Sequence, residues 1–496
     1  MEASILSRTA IASLAIGAAQ FVAKLIDFVL ILVLARLLTP EDFALIAIAM
    51  IFVQITEAIF EVPVFQVLIR NARVTRNMLY TAFTISLLRS GVVLVTIWGL
   101  TPIVAFLFDE PRLYLLMPVL AFAPAMRGLY NPKMVLFVRR LNFFPDSIIA
   151  IVTKFATALF ALPFALMTES YWALVLMTVL SPAVLLIASY TYLPFKPKLS
   201  LKSWNVFANM VGWSTVSQLF GAAYWQANVF ILGQFATRRM TGNYSIASNL
   251  SGTIYHIFVI PVTRPFISSF SELERIGSLR NGYLLATRAA FLVTGPIFVG
   301  LAMLAEPAIM LLFGKEWTDA PIFLSVLALN TLIAVAVLPS GAIAYTFDRT
   351  IYIAIKSILS FIFLVIFTVL GFIYFGLAGF LIGQLLGALV SSALGLWMVK
   401  KLIDISYIDQ LRVIFIPTLS LGIMAAFIHA LSPYIVYDSQ LTLVFSNLAI
   451  ASASLLLYLS MIFAFWYVLG KPDGLEKTVL KTVRDRLKRQ RGEVST

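Results

Sequence analysis

Long apolar runs recur along the chain, separated by short turns rich in polar, glycine and proline residues. A helix needs roughly 20 apolar residues to cross about 30 Å of hydrocarbon. Windows of that length fall at approximately 11–34, 42–68, 79–107, 114–136, 145–167, 171–193, 206–234, 244–268, 283–305, 320–342, 351–374, 377–399, 412–434 and 441–469. The pattern predicts an all-α integral membrane protein with about 14 transmembrane helices. Many similar windows follow the first, so it reads as a membrane helix and not as a cleaved signal peptide. The longest intervals, near 270–282 and 306–319, are about a dozen residues each and leave no room for a soluble domain. Chemistry on an external polymer needs more chain outside the membrane, so the expectation is a transporter and not an enzyme.

Composition agrees. The 496 residues are 61% hydrophobic and 12% charged, far from the charged surface a soluble protein of this size requires. The absence of cysteine excludes disulfides, thiol catalysis and cysteine metal sites. His256 and His429 lie too far apart in sequence to indicate a histidine-rich metal site. No cofactor or catalytic residue is expected.

Charge gives an orientation. Alternate turns carry fourteen Lys and Arg, among them Arg70, Arg73, Arg76, Lys196, Lys400 and Lys401. The other turns carry five: Arg36, Arg112, Arg238, Arg239 and Lys315. The positive-inside rule puts the first set in the cytoplasm, and an even helix count then puts both termini there. Much of the net charge of +13 follows from this bias. The remainder fits an anionic substrate, and no nucleic-acid role is read from it. In the tail 471–496, Leu475, Val479, Val483 and Leu487 recur every four residues among basic side chains. This is a surface-lying pattern attracted to anionic lipid, with a solvated tail as the alternative.

An internal repeat is visible at an offset of 198 residues. Leu34 falls on Leu232, Ile48 on Ile246, Ala49 on Ala247 and Gln20 on Gln218. Each copy reads helix, polar turn, helix. The offset spans six windows. It divides the chain into an N-terminal six-helix lobe (1–203), a second six-helix lobe (204–400), two further transmembrane helices (401–470) and the basic cytoplasmic tail (471–496). Repeats of this kind place a substrate path between the lobes.

The stretch LARLLTPEDFALIAIAMIF at 34–52 resembles the turn after the first helix of Wzx-type polysaccharide flippases, the group that includes WzxC. GNYSIASNL at 242–250 resembles the same family's eighth-helix start, and Ala44 stands where the family usually has Gly. The resemblance implies the multidrug/oligosaccharidyl-lipid/polysaccharide exporter fold, with two lobes in a V, in the bacterial cytoplasmic (inner) membrane. It implies movement of undecaprenyl-pyrophosphate-linked oligosaccharide repeat units across that membrane for exopolysaccharide or O-antigen synthesis. The length is similar to that of rhizobial succinoglycan-type exporters. Membrane lipids, the polysaccharide polymerase and the chain-length machinery enter as partners on the same ground.

Ionisable residues within the windows are costly and are kept for a pair, a pathway or a site. Lys24 and Asp27 lie on one face near the middle of the first window. Arg89, Arg127 and Lys154 sit too deep in later windows for comfortable snorkelling. Two arrangements fit. In one, Lys24, Arg89, Arg127 and Lys154 line a cavity that binds the pyrophosphate. In the other, Asp27, Glu57 and Glu61 neutralise these cations in structural pairs. Four deep cations against three acids favour the first. The acids are therefore coupling or structural groups: Glu57 with Glu61 can hold a proton or Na+, and salt bridges to Arg89 or Arg127 are the favoured alternative. Arg264, Arg288 and Lys356 are second-lobe candidates; for these, and for Lys133, snorkelling to headgroups is the alternative. His256 reads as a core residue. The expected function is alternating access driven by H+, Na+ or the membrane potential. A cation-coupled small-molecule antiporter of the same fold is the alternative, and it would want an acidic cavity.

Overall fold

The structure is a computed structural model that describes residues 21–71, 73–139, 142, 144–208, 213–436 and 439–468. The start of the first window and the amphipathic pattern at 471–496 lie outside the described residues. The first half of the chain forms α1 (21–37), α2 (Pro40–Ile59), α3 (Val64–Arg70), α4 (Arg76–Leu107), α5 (Leu113–Leu120), α6 (Phe122–Gly128), α7 (Val135–Arg139), α8 (Phe144–Thr168) and α9 (Trp172–Tyr192). The second half forms α10 (Trp204–Ala208), α11 (Trp213–Phe235), α12 (Arg238–Phe258), α13 (Ile260–Arg275), α14 (Leu279–Met303), α15 (Ala305–Leu312), α16 (Ala320–Val335), α17 (Ser340–Thr346), α18 (Thr350–Ile403), α19 (Tyr407–Leu431) and α20 (Gln440–Val468). No strand occurs among the described residues.

Nine of the described helices are long and apolar enough to cross a membrane, or ten if the bent pair α16–α17 is one span. The difference from fourteen windows has physical sources. The 54-residue α18 covers two windows. It folds back at Gly376, whose φ of 58° and ψ of −141° are open to glycine and strained for other residues. Beyond the turn the two arms run antiparallel, with Gly371 against Gly379 and Gly383 against Phe367. Close packing through small residues is how helices associate where lipid competes for every apolar contact. The helices α11 and α12 carry Gln218, Gln226, Asn228, Asn243 and Asn249, which lower their hydropathy; of these, Asn228 and Asn243 are buried. The expected loops at 270–282 and 306–319 are partly helical, because α13 runs on to Arg275 and α15 fills 305–312.

The repeat has structural counterparts. Thr39 caps α2 by accepting from the Asp42 N–H, and Thr237, 198 residues later, caps α12 by accepting from the Met240 N–H. Ile48, Ala49, Ile246 and Ala247 are all fully buried in one core. In that core α2 packs on α11 and α12, and Gly242 lets the Pro40 carbonyl approach so closely that a Cβ would stand 1.7 Å from its oxygen.

This core is the larger of those that join the two halves. It gathers Leu38, Phe108 and Ala173 from the first half with Leu232, Phe313 and Trp317 from the second. Polar contacts reinforce it. The Arg36 guanidinium donates to the Leu311 and Leu312 carbonyls (2.7 and 3.0 Å), which end α15. The Trp317 indole donates to the Ala35 carbonyl at 3.0 Å, and Arg238 donates to the Phe108 carbonyl. Beside them, the Arg112 guanidinium holds the Glu110 carboxyl below the usual carboxylate range. Of two other cores, the one around Phe298 and Val335 stays within the second half, and the one around Leu68 and Val135 is built from the first half with Phe207 of α10 packed into it. The bundle is thus sealed at the end that holds Arg36 and Trp317.

Candidate functional site

A cavity of about 400 Å³ opens within the membrane layer between α1, α8, α9 and α12, with Arg127 of α6 on its wall. Lys24, Asp27, Arg127 and Lys154 all line it. Counted from the sealed end at about 1.5 Å per residue, Lys24, Arg127 and Lys154 each stand roughly 20 Å in. Three helices therefore bring cations to one layer, facing a polar space and not lipid.

Each partner is identifiable. Lys154 Nζ lies 2.7 Å from Asp27 Oδ1, an ionic contact that leaves this oxygen without an aligned hydrogen bond. Arg127 grips Glu57 with two parallel bonds, Nε to Oε1 at 3.1 Å and Nη2 to Oε2 at 2.6 Å. Such a planar fork is the geometry guanidinium also uses for phosphate. Lys24 makes no ion pair among the described residues and stands half-buried at the wall. Asn249 and Thr253 face it from α12, and His256, three residues on, is exposed and close enough to feel its charge. The core position expected for His256 is not what the structure shows.

Arg89 does not line this cavity. The α2 helix ends before Pro63, which has no N–H to continue it, and leaves carbonyls free. Arg89 donates to two of them, Phe60 at 2.8 Å and Glu57 at 3.3 Å, and to Glu61 Oε2 at 2.6 Å. With a side chain only 12% exposed, it is a clamp on the broken helix. The second-half candidates are also elsewhere: Arg288 is half-buried on α14 and Lys356 half-buried on α18, and neither lines the cavity. Arg264 lies on α13, with its side chain outside the described residues. Lys133 caps the turn after α9 by donating to the Pro194 carbonyl.

The comparisons bear on this geometry. A family model described as polysaccharide biosynthesis protein matches residues 33–322. The chain belongs to that family. The match holds both stretches that resemble polysaccharide flippases, together with Glu57, Arg127 and Lys154. The succinoglycan biosynthesis transport protein ExoT of Rhizobium meliloti (strain 1021) is 25% identical over 320 residues. That alignment takes in 62% of this chain and 62% of ExoT, less than two thirds of the relative's length. Among solved structures, the lipid II flippase MurJ in an inward closed conformation aligns at TM-score 0.62 and 14% identity, over 92% of this chain and 99% of MurJ. An inward-facing multidrug resistance MATE transporter of the MOP superfamily aligns at 0.61 and 16%, over 79% of this chain and 98% of the other. At such identities the likeness is one of fold. This member of the polysaccharide biosynthesis family has the fold of that superfamily, as its sequence led us to expect.

Sequence reasoning missed Thr178 and Ser181 on α9 and Asn249 and Thr253 on α12 as cavity residues. A signal was available: Thr178 and Ser181 are three apart on one helix face, and Asn249, Thr253 and His256 share another. It also missed the Gln226–Gln54 hydrogen bond (2.6 Å) that links α11 to α2 across the two halves.

The distinction between clamp and cavity predicts different failures. Arg89→Ala leaves Glu61 and two carbonyls without their donor and should lower stability by about 2–3 kcal/mol. Arg127→Ala opens a solvated pair and should cost less than about 1 kcal/mol. Thermal unfolding of the detergent-purified variants checks this, and equal melting temperatures would contradict the assignment of Arg89.

Proposed function

We propose that the chain moves a polyprenyl-diphosphate-linked oligosaccharide, of the undecaprenyl type, across the bacterial cytoplasmic membrane by alternating access. The observation that carries this reading is the convergence of Lys24, Arg127 and Lys154 on one cavity in the membrane layer. Cations in a low-dielectric cleft concentrate an anion, and a diphosphate takes several charge-assisted contacts at once. The oligosaccharide then meets Thr178, Ser181, Asn249 and Thr253, while the polyprenyl chain stays in lipid. Rocking of the lobes 1–203 and 204–400 would open the sealed end and close the other. The family match, and the likeness to a succinoglycan transport protein, support the substrate class.

The reading includes fourteen crossings, helices 401–470 as an addition to the two lobes, and both termini with the tail 471–496 in the cytoplasm. The sealed end, with five Lys and Arg in its turns, is then the outer one. Reporter fusions after Lys401 and at Thr496 should both report cytoplasm, and one after Lys315 the outside. A reversed pattern would turn the cavity away from its substrate's leaflet. Expression in an exopolysaccharide-negative strain lacking its own exporter should restore polymer at the cell surface. Continued accumulation of the lipid-linked repeat inside, at normal protein level, would count against the function.

A further inference from the structure

Two of the three cations that line the cavity are already held by carboxylates. We infer that Asp27 and Glu57 are built-in competitors for the diphosphate: they occupy its positions on Lys154 and Arg127 while the cavity is empty, and yield them when the substrate binds. This rests on the function proposed above. The Arg127–Glu57 fork is the two-point contact that a phosphate would make with the same guanidinium. At the second pair, Asp27 Oδ1 meets Lys154 Nζ at one point, 2.7 Å away, so an incoming phosphate oxygen replaces a single ionic contact with another of the same kind.

The anchoring of the cation separates these pairs from the third, whose carboxylate Glu61 is itself 36% exposed. The Lys154, Asp27, Arg127 and Glu57 side chains are 25%, 18%, 38% and 22% exposed, so each pair is partly open to the cavity side. Arg89 is 12% exposed and also tied to two carbonyls, so its bond to Glu61 is not exchangeable. Three ion pairs cross this layer, and two are built to open.

The charges then fix the stoichiometry. Asp27 faces Lys24 on its own helix, Lys154 from α8 and Arg127 from α6, with His256 of α12 near Lys24. The α9 wall contributes no ionisable group to the cavity. The Glu57 carboxylate faces Arg127 from α6 and lies near Glu61 of its own chain segment, while Arg89 of α4 holds the Glu57 backbone carbonyl. Three cations and two carboxylates leave one positive charge on the wall. A diphosphate diester brings about two negative charges, so the complex has one too many. A displaced carboxylate removes the excess by taking up a proton from bulk solution, given up by a buffer acid and relayed through cavity water: an O–H bond forms on Asp27 or Glu57, the bond to that proton breaks in the buffer acid, and no substrate bond breaks. Binding therefore takes up about one proton and favours a diphosphate over a neutral glycolipid.

Calorimetric titration of the purified full-length protein with farnesyl diphospho-glucose, between pH 6 and pH 8 and in buffers of different ionisation heat, tests this. Wild-type affinity should fall as pH rises, with about one proton taken up per ligand bound. Asp27→Asn and Glu57→Gln should each bind roughly tenfold more tightly and take up less proton. Glu61→Gln should bind like wild type. Acid variants that bind no better than a wild type whose affinity ignores pH would overturn the inference, as would an equal gain in Glu61→Gln. If no protein in the series binds the probe at all, the cavity reading itself fails, which is a different result.

Discussion

Replacing Lys24, Arg127 and Lys154 together by alanine is expected to abolish export of the lipid-linked repeat. Each charge-assisted contact to a phosphate contributes roughly 1.5–3 kcal/mol, so three lost contacts amount to several kcal/mol. At about 1.4 kcal/mol per tenfold, flux should fall more than a hundredfold. Single alanine changes should only weaken export, because the remaining cations still share the diphosphate. Lys24→Arg should be milder than Lys24→Ala, since it keeps the charge, whereas Arg127→Lys gives up the two-point fork. The Asp27→Asn/Glu57→Gln double variant controls for unpaired acids left behind in the triple variant. Surface polymer in the complemented strain, normalised to membrane protein level, is the readout. Full export by the triple variant would remove the cavity as the binding site.

A disulfide across the sealed end is expected to stop transport reversibly. A Cβ placed on Gly233 of α11 would lie 3.2 Å from Cγ1 of Ile48 on α2. The two Cβ positions therefore fall within about 5 Å, close to what a disulfide spans. The chain has no other cysteine to interfere. Ile48→Cys/Gly233→Cys should carry substrate when reduced and lose more than about 90% of its flux when oxidised, because alternating access requires α2 and α11 to part there. Each single variant should be indifferent to oxidant. An oxidised, fully cross-linked pair that transports at the reduced rate would show that this end never opens.

Much of this was legible from the chain. Among the described residues, apolar windows of helix length fall where helices occur, and the break between windows at 374 and 377 contains Gly376, where α18 turns. Charges in apolar runs are rare enough to be noticed, so Lys24, Asp27, Arg127 and Lys154 could be singled out together. That acids would pair with the deep cations was among the arrangements the sequence offered, and Arg89, Arg127 and Lys154 are so paired; which acid takes which cation could not be read, because it depends on how α1, α6 and α8 are rotated about their axes. Arg89 shows the limit most clearly. By depth alone it matched the other cations, but its role was set by a helix break at Pro63, 26 residues away in sequence. The small hydroxyls Thr178 and Ser181 gave no alarm, since a membrane helix hides such groups on its own carbonyls, as Thr178 does on Leu174. Interior polarity in α11 and α12 lowered hydropathy without showing which side faced the cavity.

The central claim is that the cavity carries an anionic lipid-linked sugar. Flux measured in proteoliposomes tests it most directly. Purified protein is reconstituted with a fluorescent polyprenyl-diphosphate oligosaccharide, and the fraction reaching the opposite leaflet is followed in parallel with uptake of a cationic dye. The account predicts translocation of the diphosphate lipid by wild type, none by the Lys24/Arg127/Lys154 alanine variant, and no dye transport by either. Dye transport that survives in the variant, with the lipid-linked oligosaccharide left in its original leaflet by both proteins, would contradict it.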